Sequence, residues 1–253
     1  MRVFAVSDVH IDYAENRQWL FGLSKTDYKN DILILAGDIT NNIPVIIKAF
    51  VSLKNCFKEV LYIPGNHDLW VSRRNNIRNS IDNFHLIKTV ASNCGVRMEP
   101  AHFKTLSIIP LFGWYDYSFG EPSEKIFDIW IDYTACQWPE GYDEISVTRY
   151  FIAMNEPYLN LKNDFIISFS HFVPRIDVMP SFIPENKKIL YPVLGTVLLE
   201  KQIRQISPNI HIYGHSHVNT RAHFNNTEYI NNAYGYPSET MITAKRLLKI
   251  YEM

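Results

Sequence analysis

The sequence predicts an α/β protein. Three short apolar runs, at residues 3–6, 32–36 and 60–63, alternate with two helix-length segments at 15–23 and 43–53. Each run stops abruptly in small or polar residues: Ser7 and Asp8, Gly37 and Asp38, then Pro64, Gly65 and Asn66. The chain is also apolar enough for a core of its size, with 47% hydrophobic residues among 253.

Continuous apolar runs this short suit parallel strands, which are covered on both faces and therefore show no polar alternation. The segment 43–53 sets Ile43, Ile46, Ile47 and Phe50 on one stripe, the spacing of a helix that buries one face. Strand and helix in alternation describe βαβ units. After Arg73 a helix is predicted to about residue 89, and 106–110 reads as a strand. The stretch 112–162, with FGWYDYSFG and IFDIWIDYTACQWPEGYDE, is dense in aromatics and carboxylates. It reads as an insertion in a single domain spanning 1–253, a cap over the site. Strands resume at 165–169, ending in Ser170 and His171, and at 210–213, ending in GHSH. The segments 221–224, 228–230 and 247–251 read as antiparallel strands closing a second sheet.

Composition narrows the function. A formal charge of −1 supplies no uniform basic footprint for nucleic acid, so nucleic acid is an unlikely partner. Cys56, Cys94 and Cys136 are odd in number and far apart, which suggests buried free thiols in a reducing compartment. The apolar stretch at the start is too short for a secretory signal core, and no window approaches the roughly 20 apolar residues of a membrane span. A cytoplasmic protein with no membrane partner is the expectation; oligomeric state is unreadable.

Open α/β sheets bind ligands beyond the carboxyl ends of their strands. Collected there are Asp8, His10, Asp38, Asn66, His67, His171, His215 and His217. DVH and GHSH each set two such residues at i and i+2, which leave one face of an extended segment together. Imidazoles and carboxylates with one amide suit Mn, Fe, Zn or Co, and the absence of cysteine from the set removes the usual structural zinc signature. A four-ligand structural zinc is the alternative. The set is too large for it, and a surplus of ligands points to two ions about 3.5–4 Å apart clamping a phosphoryl group. His85, His102, His211 and His223 lie outside such settings and read as structural.

In SDVH (7–10), GD (37–38), GNHD (65–68), SH (170–171) and GHSH (214–217) the chain resembles the calcineurin-like metallophosphoesterase superfamily. The resemblance spans nearly the whole chain in the right order. It implies a four-layer α/β/β/α sandwich of two mixed sheets flanked by helices. It implies one ion at Asp8, His10, Asp38 and His217, a second at Asp38, Asn66, His171 and His215, and Asp38 as the bridge. The expected reaction is in-line attack by a metal-bridging hydroxide on a phosphomonoester or phosphodiester of a small molecule, nucleotide or phosphoprotein. His67 is the expected general acid, and Asp68 the group that holds its imidazole in the useful tautomer. Arg73, Arg74 and Arg175 are candidate phosphate grips, while Trp114, Tyr115 and Tyr117 read as core. A non-catalytic scaffold of the same fold and a nuclease are the competing functions.

Overall fold

The computed structural model describes residues 1–71 and 77–253, so Arg73 and Arg74 lie outside the described residues. Along the chain run β1 (Arg2–Val6), α1 (Ala14–Phe21), β2 (Ile32–Leu35), α2 (Ile43–Cys56) and β3 (Glu59–Tyr62). A single helical turn, α3 (Asn66–Leu69), then precedes α4 (Ser80–Asn93), β4 (Ala101–Phe103) and β5 (Leu106–Pro110). Three helices follow: α5 (Glu124–Ile129), α6 (Asp132–Ala135) and α7 (Glu144–Ala153). The chain continues with β6 (Phe165–Phe169), α8 (Val197–Ile206), β7 (Ile210–Tyr213), β8 (Thr220–Phe224), β9 (Thr227–Asn231) and β10 (Leu248–Glu252).

These strands form two mixed sheets with helices flanking them. The first has the order β10-β1-β2-β3, and the second β4-β5-β6-β7-β9-β8. β1, β2 and β3 are parallel neighbours, as are β5, β6, β7 and β9. Every residue of β2 and β7 is buried, as the unbroken apolar runs require of strands covered on both faces. α2 starts where Asn42 caps the Val45 N–H and Pro44 occupies a position that needs no amide hydrogen. Its Ile46, Ala49, Phe50 and Leu53 face the core.

Three expectations change. β10 does not join the second sheet: it pairs antiparallel with β1, Arg2 opposite Glu252, and so covers an edge of the first. β9 is antiparallel to β8 but parallel to β7. The helix expected from about Arg73 begins at Ser80, where the Asn79 side chain accepts from the Asp82 N–H and replaces a backbone partner. All three cysteines are free thiols, with Cys56 and Cys136 buried and Cys94 half-buried. Among the described residues no helix is long and apolar enough to cross a membrane.

Candidate functional site

Five parallel strands deliver the candidate residues to one place. Asp8 and His10 follow β1, Asp38 follows β2, Asn66 and His67 open α3 after β3, His171 follows β6, and His215 and His217 follow β7. The sheets meet here, where the Ser7 N–H donates to Asn232 O at 3.1 Å. Adjacent loops are laced together: Asp8 N–H to Gly37 O at 2.9 Å, His10 N–H to Asp38 O at 3.0 Å, Gly214 N–H to His171 O at 2.9 Å.

The backbone is strained where the site is built. Asp8, His10, Asp38, His215 and His217 all take positive φ, between 43° and 66°. Asp and His tolerate this region better than most side chains, but it still costs, and such outliers collect at functional sites. The motif glycines have a separate cause. A Cβ on Gly65 would sit 2.1 Å from Asp38 Oδ1 and 2.6 Å from His171 Nε2, and one on Gly37 2.3 Å from His171 Nδ1. Glycine is required by the close approach of the candidate ligands themselves.

Two groups of ligand-capable side chains result, Asp8, His10, Asp38 and His217, and Asp38, His171 and His215; within each, the ligand atoms lie within 4.8 Å of one another. They share Asp38, whose Oδ2 lies 3.6 Å from His171 Nε2, 3.8 Å from His10 Nε2 and 3.9 Å from His67 Nε2. Asn66 Oδ1 joins the second group, 3.2 Å from His171 Nε2. All seven side chains expected to hold metal are therefore together, and all are buried.

The donor set fits cations. His171 Nδ1 is 2.9 Å from Ala36 O and His215 Nε2 is 3.0 Å from Val193 O, so each ring spends its N–H on a carbonyl. The remaining nitrogens, His171 Nε2 and His215 Nδ1, then turn lone pairs towards each other across 3.1 Å. Two lone pairs at that distance repel unless a positive charge lies between them. His10 Nε2 and His217 Nε2 also lie 3.0 Å apart, a gap across which a charged His217 donates its proton and a neutral one leaves room for a cation. Burial, above all, pushes His10, His171 and His215 below the usual imidazole range. Burial alone would lower His217 too, but Asp8 and Glu239 outweigh it and push this ring up to about 9. Burial, then Asp68 and Asp8, hold Asp38 well above the ordinary carboxylate range, the mark of crowded negative charge that wants a counter-ion.

Three residues of the site escaped the sequence reading. Asp132, buried in the aromatic-rich stretch, accepts from Asn66 Nδ2 at 2.9 Å, Trp70 Nε1 at 2.7 Å and Trp130 Nε1 at 2.9 Å. That first bond fixes the amide so that its oxygen faces His171. Glu239 accepts from His217 Nδ1 at 2.7 Å, the familiar carboxylate support of a ligating imidazole. Tyr236 Oη is 3.4 Å from His67 Nε2, and its ring lies 4.6 Å from that of His10. The acidic aromatic run around Asp132 was the one available signal; Tyr236 and Glu239 carried none.

Asp68 departs from its expected role. Its carboxylate accepts from the backbone N–H groups of Asp38, Ile39, Thr40 and Gly65 at 2.8–3.0 Å, so it clamps the Asp38 loop to the α3 turn. It does not orient His67, because α3 is helical and consecutive helical side chains diverge by about 100°. The His67 ring instead stacks on Trp70, centroids 3.7 Å apart. Arg175 is also engaged elsewhere: it bonds Asp177 at 2.5 and 2.7 Å and Glu200 at 3.1 Å, and lies 3.7 Å over the Phe224 ring. Trp114 and Tyr115 are buried, as expected of core residues.

The family model of the calcineurin-like phosphoesterases matches residues 1–219. The acyl-carrier-protein phosphodiesterase PptH of Mycobacterium tuberculosis is 28% identical over 126 residues, 46% of this chain and 38% of that protein's own length. The crystal structure of the phosphopantetheinyl hydrolase PptH from Mycobacterium tuberculosis superposes with a TM-score of 0.80 at 20% identity, covering 98% of this chain and 95% of that one. A second solved structure matches with a TM-score of 0.52 at 14% identity, over 92% of this chain and 90% of that one. At such identities the structural likenesses show the fold.

Proposed function

The chain belongs to the calcineurin-like phosphoesterase family, whose members are metal-dependent, and from that premise we propose that it hydrolyses a phosphoric ester at a pair of divalent ions. Asp8, His10, Asp38 and His217 hold one, and Asp38, Asn66, His171 and His215 the other. The observation that carries this reading is the sharing of Asp38 between two buried ligand groups. Mn, Fe, Zn or Co suits these donors. When bound, the pair supplies water ionised near neutral pH and neutralises charge on the phosphoryl oxygens.

The remaining chemistry falls to the chain's own residues. His67 gives the leaving oxygen its proton from a ring stacked against Trp70, with Tyr236 Oη beside Nε2. Burial first, then His217, push His67 down to about 3, so the resting imidazole is neutral. An incoming anionic ester acts in the opposite sense and favours the imidazolium that donates. Trp130 lines the pocket over the site, which supports 112–162 as its roof.

The substrate is a phosphate ester of a small molecule, nucleotide or phosphoprotein, and the likeness to a phosphodiesterase favours a diester. A panel of p-nitrophenyl phosphate, its bis-ester and cyclic nucleotides with added Mn²⁺ tests this. We expect metal-dependent release of product from at least one, abolished by a chelator; a protein that binds metal and turns over none of them contradicts the proposal.

Asp132→Ala should weaken the Asn66 side of the site selectively. The buried Asn66 amide loses its acceptor, at about 1–3 kcal/mol, two half-buried indole N–H groups lose theirs at smaller cost, and the amide is free to turn. We expect a lower melting temperature and about 10- to 100-fold weaker binding of one ion, read by metal titration. Equal weakening of both ions would assign Asp132 to general stability alone.

A further inference from the structure

The pocket over the ligand groups, about 180 Å³, continues into two others. On one side it shares Leu190, Leu194, Ser216 and Glu239 with a cavity of about 470 Å³. Met179, Phe182, Ile183, Tyr191, Val218 and Ile242 give that cavity a mainly apolar wall. On the other side it shares His67 and Tyr236 with a cavity of about 330 Å³ that also includes Asp12, Tyr13, Asn41 and Trp70. The result is a trough with the candidate centre in its middle, greasy at one end and polar-aromatic at the other. The greasy end is tied to the centre, because His215 Nε2 bonds Val193 O within the 190–194 segment.

Resting on the phosphoesterase reading, we propose that the substrate is a phosphodiester with two unlike arms, an extended apolar arm seated in the Met179–Ile242 cavity and a second arm leaving on the His67 side. A monoester would fill only the centre of the trough. His67 lines the central pocket and the polar-aromatic cavity, so the arm whose oxygen it can protonate runs into the latter. Water forms a new O–P bond and loses a proton, the P–O bond to the His67-side arm breaks, and His67 protonates the departing oxygen and is recharged by a proton equivalent to the one the water lost. The phosphate remains on the apolar arm as a monoester. The chemistry fits a lipid-like or long-chain alcohol; a cavity of this size belongs to the range that encloses small-molecule ligands.

Three nitrophenol-releasing probes separate the possibilities: methyl 2-nitrophenyl phosphate, decyl 2-nitrophenyl phosphate, and methyl 4-decyl-2-nitrophenyl phosphate. With Mn²⁺ present, the decyl chain on the retained alcohol should raise kcat/KM at least about tenfold over methyl, since each buried methylene is favourable. The same chain on the leaving phenol should bring no such gain. In Ile242→Glu the decyl-to-methyl ratio should fall towards one. Acceleration by the chain on the leaving phenol, or no response to either chain, overturns the two-armed assignment while leaving the hydrolase intact. Absence of turnover of all three while p-nitrophenyl phosphate is hydrolysed overturns the diester proposal alone; absence of turnover of p-nitrophenyl phosphate as well overturns the hydrolase reading, and this one with it.

Discussion

Asp38→Ala is expected to remove bound metal and turnover together. The Asp38 carboxylate is common to both ligand groups, with Oδ2 3.6–3.9 Å from three imidazole nitrogens, so its loss costs each proposed ion a ligand. The fold should survive, because the Asp38 loop is held through its backbone by Asp68 and His10 rather than through the side chain alone. Relief of the crowding among Asp38, Asp68 and Asp8 should leave the metal-free protein at least as stable as before. The checks are elemental analysis, a thermal melt and a rate on an activated ester. Two tightly retained ions in the variant would refute the bridge.

His67→Asn is expected to behave in the opposite way, keeping metal while losing about 10²- to 10⁴-fold in rate, the range of a general acid. The loss should be largest for alkoxide leaving groups and small for nitrophenolate, which departs without a proton. The reason is geometric: His67 Nε2 stands 3.9 Å from Asp38 Oδ2 at the pocket wall, beside Tyr236 Oη, while the ring rests on Trp70. A fall in metal content instead would make His67 a ligand, and an equal loss for all leaving groups would remove its proton from the mechanism.

Much of the candidate site was legible because its residues interrupt apolar strands. A run such as 32–36 that stops at Gly37 and Asp38 announces both a strand and what stands at its end. The tail misled for the converse reason. A strand's partner is a matter of long-range register, and nothing within 247–251 says that its mate is β1 rather than β9. Asp68 misled through local geometry: neighbours in sequence looked like neighbours in space, and a helical turn separates them.

From the chain alone come the alternation of strand and helix, the strand-end acids and histidines, and the near-neutral charge balance, since each is set by residue type and spacing. Only the folded molecule decided that Asp132, Tyr236 and Glu239 serve the same cluster, 66, 169 and 22 residues from the side chains they touch. It also decided that Asp68 clamps backbone, and that the site lies in a trough with unlike ends. Hydrogen bonds and cavities depend on distances in space, and the spacing of letters along the chain carries those distances only within a single strand or turn.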